Sequence, residues 1–194
     1  MSFKEAYENF KIYSLKHYKK QTFDTMLYKF NFRIHPFFKD YNLDDITTST
    51  ILSWQDYILS FNYSNSYNSS LYYILCSFFE FCSLFYNFDK TIISKVGNFK
   101  KKYEPSKKDF YNLKEFNLFI KNLDNNIYKQ FFNLMFFTGT RPGEAMALKF
   151  SDLQGDYICI TKTISEHGKR EVGTPKSSSS VRKIKIDKFL KNDL

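Results

Sequence analysis

At 194 residues, with 29 Lys and Arg against 20 Asp and Glu, the chain is long enough for one or two domains with a real core and carries a net charge of +9. That excess points to a polyanionic partner, either nucleic acid or an anionic membrane surface. The three cysteines, Cys76, Cys82 and Cys159, form no C-x-x-C pair, which argues against a disulfide framework or a zinc site and for a reducing cytoplasm.

The polar start MSFKEAYENF does not read as a signal peptide. Ser2-Phe3-Lys4-Glu5 fits a capping box, in which the hydroxyl and the carboxylate each satisfy a free N–H of the first turn. It predicts a helix to about Lys19 with Phe3, Tyr7, Phe10 and Leu15 on one side. Thr22 is placed to cap a second helix, running to about His35 and ended by Pro36. Asp45–Thr48 opens a third, containing Ile51, Leu52, Trp54, Tyr57 and Ile58. After a polar break at Asn65–Ser70, a long helix is expected from about Ser69 to Tyr86. Its stretch Leu71–Phe88 is almost wholly apolar, but it is shorter than the roughly 20 residues of a membrane span. It also carries Glu80, Ser77, Ser83 and Asn87, so it reads as a buried core helix. These four helices make a small all-helical domain over residues 1–94. The high aromatic content, mostly Phe and Tyr, accompanies abundant Asn, Ile and Lys and reads as coding bias rather than as a stacking surface.

Residues 95–108, KVGNFKKKYEPSKK, combine six Lys with Gly97 and Pro105, the pattern of a basic linker. Two readings stand side by side: a solvated tether, or a strap along nucleic-acid phosphates. In the second, Lys100, Lys101, Lys102, Lys107 and Lys108 are the candidate contacts, adding affinity and salt dependence without sequence information.

Residues 109–194 form a second domain. Asn112-Leu113-Lys114-Glu115 is another N-cap signature, starting a helix to about Leu123, and a further helix is expected from about Asn126 to Phe137. Asp156–Thr163, DYICITKT, alternates and is rich in β-branched residues, so it predicts a strand. Two short strands follow near Lys169–Thr174 and Val181–Ile186, with turns at Gly168 and Ser177–Ser180, and Asp187–Leu194 begins a helix. There is no internal repeat.

Between the last long helix and the first strand lies Thr138–Leu148, TGTRPGEAMAL. Pro is favoured at the first helical position, where its missing N–H has no partner to lose. Arg141 is therefore expected at the mouth of a helix, where free N–H groups and the dipole favour an anion. A guanidinium there can grip two phosphate oxygens, and Glu144 can hold it through an i,i+3 pair. The plainer reading is an ordinary helix corner with a surface arginine.

TGTRPGEAMALKFSDL resembles the first-arginine motif of the tyrosine recombinases, the phage integrase family. A second match follows in order. Thr174-Pro175-Lys176-Ser177, then Ser180-Val181-Arg182-Lys183-Ile184, resembles that family's β-hairpin lysine segment. The likeness extends over roughly residues 1–194, with its motifs in 134–186. It implies a mainly α fold with a small antiparallel β-sheet, made of an N-terminal four-helix core-binding (SAM-like) domain and the first part of an α+β catalytic domain. It further implies site-specific recombination of double-stranded DNA through a 3′-phosphotyrosyl intermediate. No metal or nucleotide cofactor is implied, since the energy of the broken bond is kept in the phosphotyrosine.

By the same resemblance, Arg141 is the first of two arginines around the phosphate, Lys176 is the general acid for the departing 5′ oxygen, and Glu144 supports Arg141. The family's two domains clamp the duplex as a C shape. Lys19, Lys20, Gln21 and Thr22 at a helix start are then candidate phosphate contacts, and Arg182 is another. Complete family members assemble as tetramers on DNA, whereas this chain is expected to be monomeric in solution, with no membrane partner.

The sequence departs from the family after the hairpin. The family's helical His-x-x-Arg motif and late nucleophilic Tyr are not reached before Leu194, so the chain is expected to be either an excised piece of a longer recombinase or a truncated gene product. The string His167-Gly168-Lys169-Arg170 precedes Lys176 and reads as a turn. His17 and His35 read as surface or core residues, and Tyr157 as packing. The chain is therefore expected not to cleave DNA by itself. A DNA-binding remnant occupying recombination sites is the alternative, and a helical interaction protein with chance motif matches is the third reading.

Overall fold

A computed structural model describes residues 1–100, 109–164, 172–173 and 180–193. They fall into two units, Met1–Pro105 and Ser106–Leu194.

In the first unit, α1 (Phe3–His17) starts where the Ser2 hydroxyl accepts the Glu5 N–H at 3.2 Å. Phe3, Tyr7 and Phe10 are buried, but Leu15 is 61% exposed. Ser14 takes its place, because positions 3, 7, 10 and 14 share one stripe of a helix and position 15 does not. The next helix, α2 (Lys20–Lys29), begins earlier than its sequence suggests. Its N-cap is Lys19, without a side-chain bond, and Thr22 lies in the first turn.

Pro36 does not end the helix. A π-helical turn, Phe30–Ile34, leads directly into α3 (His35–Phe38). In this wider turn the His35 N–H reaches back to the Phe30 carbonyl. The Phe32 carbonyl, which Pro36 has no N–H to satisfy, accepts from Arg33 Nη1 at 2.8 Å. Continuing the helix places Phe30, Ile34 and Phe38 together in the core, where the Phe3 ring lies 6.0 Å from Phe30, 5.2 Å from Phe38 and 4.7 Å from Phe78.

A capping box between Thr47 and Thr50 starts α4 (Thr48–Leu59). Ile51, Trp54 and Ile58 are buried and Leu52 faces outward. Asn65–Ser70 is no break. The Ser64 hydroxyl accepts from the Tyr67 N–H, so the polar residues form the first turns of α5 (Asn65–Tyr86). This helix buries Leu71, Leu75, Phe78, Phe79 and Cys82 as the core helix that its sequence predicts. Among the described residues, no helix is long and apolar enough to cross a membrane. A short α6 (Thr91–Val96) follows, and Phe99 is buried beside Trp54 with ring centroids 5.5 Å apart.

In the second unit, α7 (Leu113–Lys121) has the predicted capping box between Asn112 and Glu115, and α8 (Asn126–Thr138) is capped by Asn125. Phe116 stacks on Phe136 at 3.8 Å. Then come α9 (Pro142–Met146), β1 (Leu153–Gln154), β2 (Tyr157–Ile160), β3 (Thr163–Ile164), β4 (Val172–Gly173), β5 (Arg182–Lys185) and α10 (Lys188–Asp193). The expected strand over Asp156–Thr163 is divided, because β2 pairs with β1 and β5 in one antiparallel sheet while β3 pairs with β4 in another. Leu134, Ala145, Ile158, Ile160, Ile186 and Leu190 form the core. Tyr157, read as packing, is exposed, since it stands on the opposite face of β2 from Ile158 and Ile160.

Candidate functional site

The Arg141 corner is built by three short-range devices. Gly139, at φ 64°, ends α8 in the left-handed region that a side chain would strain. The Thr140 N–H then donates to Thr138 Oγ1 at 3.3 Å. Pro142 occupies the start of α9, and the Glu144 and Ala145 N–H groups both donate to the Arg141 carbonyl, at 3.0 and 2.9 Å.

Glu144 is the centre of the arrangement. Its side chain is 2% exposed, against 70% for Arg141. Glu144 Oε2 accepts the Arg141 main-chain N–H at 3.0 Å, and Oε1 accepts Arg141 Nη1 at 3.0 Å. The carboxylate therefore grips both ends of the same residue, where the sequence predicts only the side-chain pair. Arg182 approaches from β5, with Nη1 3.3 Å from Oε1 and Nη2 2.9 Å from Oε2. Arg182 Nη1 also donates to the Ser180 carbonyl at 3.1 Å, and Arg141 Nη1 lies 3.5 Å from Ser180 Oγ.

Burial by itself would raise the Glu144 pKa. The Arg182 hydrogen bonds, then the Arg141 N–H and guanidinium, more than offset it and hold the acid down at about 2. Two guanidinium groups around one carboxylate leave one positive charge in excess, carried outward by the exposed Arg141.

One expectation about this corner needs correction. The free N–H groups of a helix mouth do not supply the anion-binding power, because α9 has only five residues and the Glu144 carboxylate already occupies its amino end. What faces solvent is the guanidinium itself. Gly143, which sequence reading passed over, brings a second element close. A Cβ there would stand 2.6 Å from the Ile164 carbonyl oxygen and 2.7 Å from Thr163 Oγ1, so β3 lies directly against α9.

The remaining predicted residues divide clearly. Lys19, Lys20, Gln21 and Thr22 are exposed at the start of α2, and Lys100 is exposed after Phe99. Arg182 was expected on DNA, yet both its terminal nitrogens are turned to Glu144 and it stands with the support of Arg141. Lys176, Lys101, Lys102, Lys107 and Lys108 lie outside the described residues, as do His167–Arg170. Ser180 was read only as part of a turn. Its place beside Arg141 is signalled by nothing more local than its membership of the second motif. Among the described residues, no group of three His, Cys, Asp or Glu is arranged to hold a metal ion.

The chain is similar to known proteins in sequence and in fold. Residues 2–59 match the family model of the phage integrase N-terminal SAM-like domain. The ICEBs1 integrase of Bacillus subtilis (strain 168) is 33% identical over 91 residues, covering 43% of this chain and 24% of that protein. The Tn1549 transposon integrase in complex with a circular intermediate DNA superposes with a TM-score of 0.77 at 15% identity, over 100% of this chain and 63% of that one. A lambda integrase dimer bound to a COC′ core site superposes with a TM-score of 0.73 at 17% identity, over 96% of this chain and 60% of that one. The structural matches show a shared fold: mostly helical, with an N-terminal SAM-like domain and a small antiparallel sheet. The chain spans less than two thirds of the length of each of these relatives.

Proposed function

We propose that this chain is a member of the phage integrase family, the tyrosine recombinases, and serves site-specific recombination of double-stranded DNA, with Arg141 as the first phosphate-binding arginine. The observation that carries this reading is the exposed Arg141 guanidinium fixed by a buried, ionised Glu144. In phosphoryl transfer the transition state gathers negative charge on the phosphoryl oxygens, and a cation already in place stabilises it without reorganising. In a complete recombinase a tyrosine oxygen, having given up its proton to a base, forms the new bond to phosphorus as the bond to the 5′ oxygen breaks. Lys176 delivers its proton to that departing oxygen. Glu144 neither touches the phosphate nor exchanges a proton, and with its pKa at about 2 it stays a carboxylate throughout.

DNA contact is shared among basic and polar side chains. Lys19, Lys20 and Thr22 at the start of α2 meet phosphates, and the basic stretch with Lys100, Lys101, Lys102, Lys107 and Lys108 follows the backbone between a core-binding domain (1–94) and the catalytic part (109–194). These contacts position the protein and carry no sequence information. The one His-x-x-Arg string, His167–Arg170, precedes Lys176, whereas the family's helical His-x-x-Arg motif and nucleophilic Tyr follow the hairpin. Assayed by itself, the 194-residue chain binds duplex DNA as a monomer and does not break it, and strand exchange requires those later motifs. The three thiols, all free, fit a reducing cytoplasm.

The test is direct. The chain is titrated onto a fluorescent duplex over a range of salt. A steep fall of affinity with salt is expected, and no binding at moderate salt sinks the proposal. In a complete recombinase carrying these residues, Arg141→Ala should abolish cleavage of a suicide substrate while leaving most of the DNA affinity. Equal loss of both would make Arg141 a binding residue only.

A further inference from the structure

We infer that Arg182 is a positioning residue for Arg141, bracing the buried Glu144 carboxylate from β5 so that Glu144 holds both the main chain and the guanidinium of Arg141. The inference rests on the reading of Arg141 as a phosphate-binding group. Each Glu144 oxygen accepts one bond from Arg141 and one from Arg182: Oε1 at 3.0 and 3.3 Å, Oε2 at 3.0 and 2.9 Å. Arg182 thus spans the carboxylate edge with a planar fork, a geometry that a lysine point charge cannot reproduce.

The fork is itself held. Arg182 Nη1 donates to the Ser180 carbonyl at 3.1 Å, and Arg182 lies in register with Ile160 across the β2–β5 ladder. Glu144, by contrast, sits on a five-residue helix with little stiffness of its own. Without Arg182, the carboxylate would keep only its two bonds from Arg141, whose side chain is mostly exposed, and would lose its tie to β5. The Arg141 guanidinium would then be held less firmly. Arg182 is 30% exposed, with both terminal nitrogens on the carboxylate, and this fits a brace better than a direct phosphate contact. β5 is thereby fastened to the support of Arg141.

The experiment is a double-variant comparison on the 194-residue chain, read as affinity for a fluorescein-labelled duplex of mixed sequence across a potassium chloride series. Arg141→Ala is expected to lower affinity about tenfold and the salt slope by about one. Arg182→Lys keeps the charge and loses the fork. It should cost roughly threefold with Arg141 present and nothing further in the Arg141→Ala background. Full affinity in Arg182→Lys overturns the inference, because charge alone then suffices. An equal loss in both backgrounds also overturns it, because Arg182 then acts on DNA by itself. If Arg141→Ala changes neither affinity nor slope, the reading of Arg141 falls instead, a result separate from either. Should Arg182→Lys melt below the assay temperature, Arg182→Gln is compared in the two backgrounds instead; a loss confined to the background with Arg141 supports the inference, and an equal loss in both, from the missing charge alone, overturns it.

Discussion

The indole Nε1 of Trp54 donates to the main-chain oxygen of Arg33 at 3.1 Å. This bond ties α4 to the π-helical turn. Trp54 is also fully buried. Trp54→Phe should lose the hydrogen bond and part of the ring, costing about 1–3 kcal/mol, and Trp54→Ala about 3–5 kcal/mol. Urea unfolding followed by far-UV circular dichroism reads both. A cost below about 0.5 kcal/mol for Trp54→Phe would mean that the carbonyl finds another partner.

Glu144 sets a pH dependence with a definite sign. Its pKa falls from 4.5 when unfolded to about 2 when folded, so the unfolded chain binds this proton more readily. The stabilisation is complete above about pH 4.5 and is lost as pH falls toward 2, with an upper bound of about 3 kcal/mol. Glu144→Gln should flatten this part of the stability profile and lower stability at neutral pH, since two guanidinium groups lose their anion. Parallel profiles for the variant and the parent would show that Glu144 titrates normally.

At Gly143 two effects oppose each other. Ala inside a helix is favoured over Gly by about 1 kcal/mol. A Cβ 2.6 Å from the Ile164 carbonyl oxygen, however, meets backbone that cannot rotate aside. The clash should win, so Gly143→Ala is expected to destabilise the second unit by about 1–3 kcal/mol. It should also weaken DNA binding if β3 is displaced. A stabilised variant in thermal unfolding would show that β3 gives way easily.

The exposed cations at the start of α2 make a separable prediction. Lys19→Ala and Lys20→Ala should each reduce the salt slope of DNA binding by about 0.9, with similar effects on unrelated duplexes. A loss confined to one DNA sequence would instead place that lysine against a base edge.

Legibility followed the range of the interactions. Ser2, Thr47 and Asn112 declare helix starts because a cap is completed within three residues. The Glu144–Arg141 pair is legible for the same reason. Pro36 misled, because the carbonyl it orphans is rescued by the Arg33 side chain in a π-helical turn that no local propensity encodes. Asn65–Ser70 misled because polar residues in a first turn resemble a loop. Arg182 reads from sequence as a DNA-phosphate contact, since its carboxylate partner lies 38 residues away and meets it only once β5 has paired with β2.

Under the role proposed for Arg141, the buried carboxylate beneath it also bears on the entropy of DNA binding. A free arginine side chain carries about 2 kcal/mol of rotamer freedom, which it surrenders when it docks on a phosphate. Arg141 is already tethered at Nη1 in the folded chain, so much of that freedom has gone before DNA arrives. The ordering cost then falls on folding, and tight phosphate contact at this corner is compatible with a small entropic loss on association.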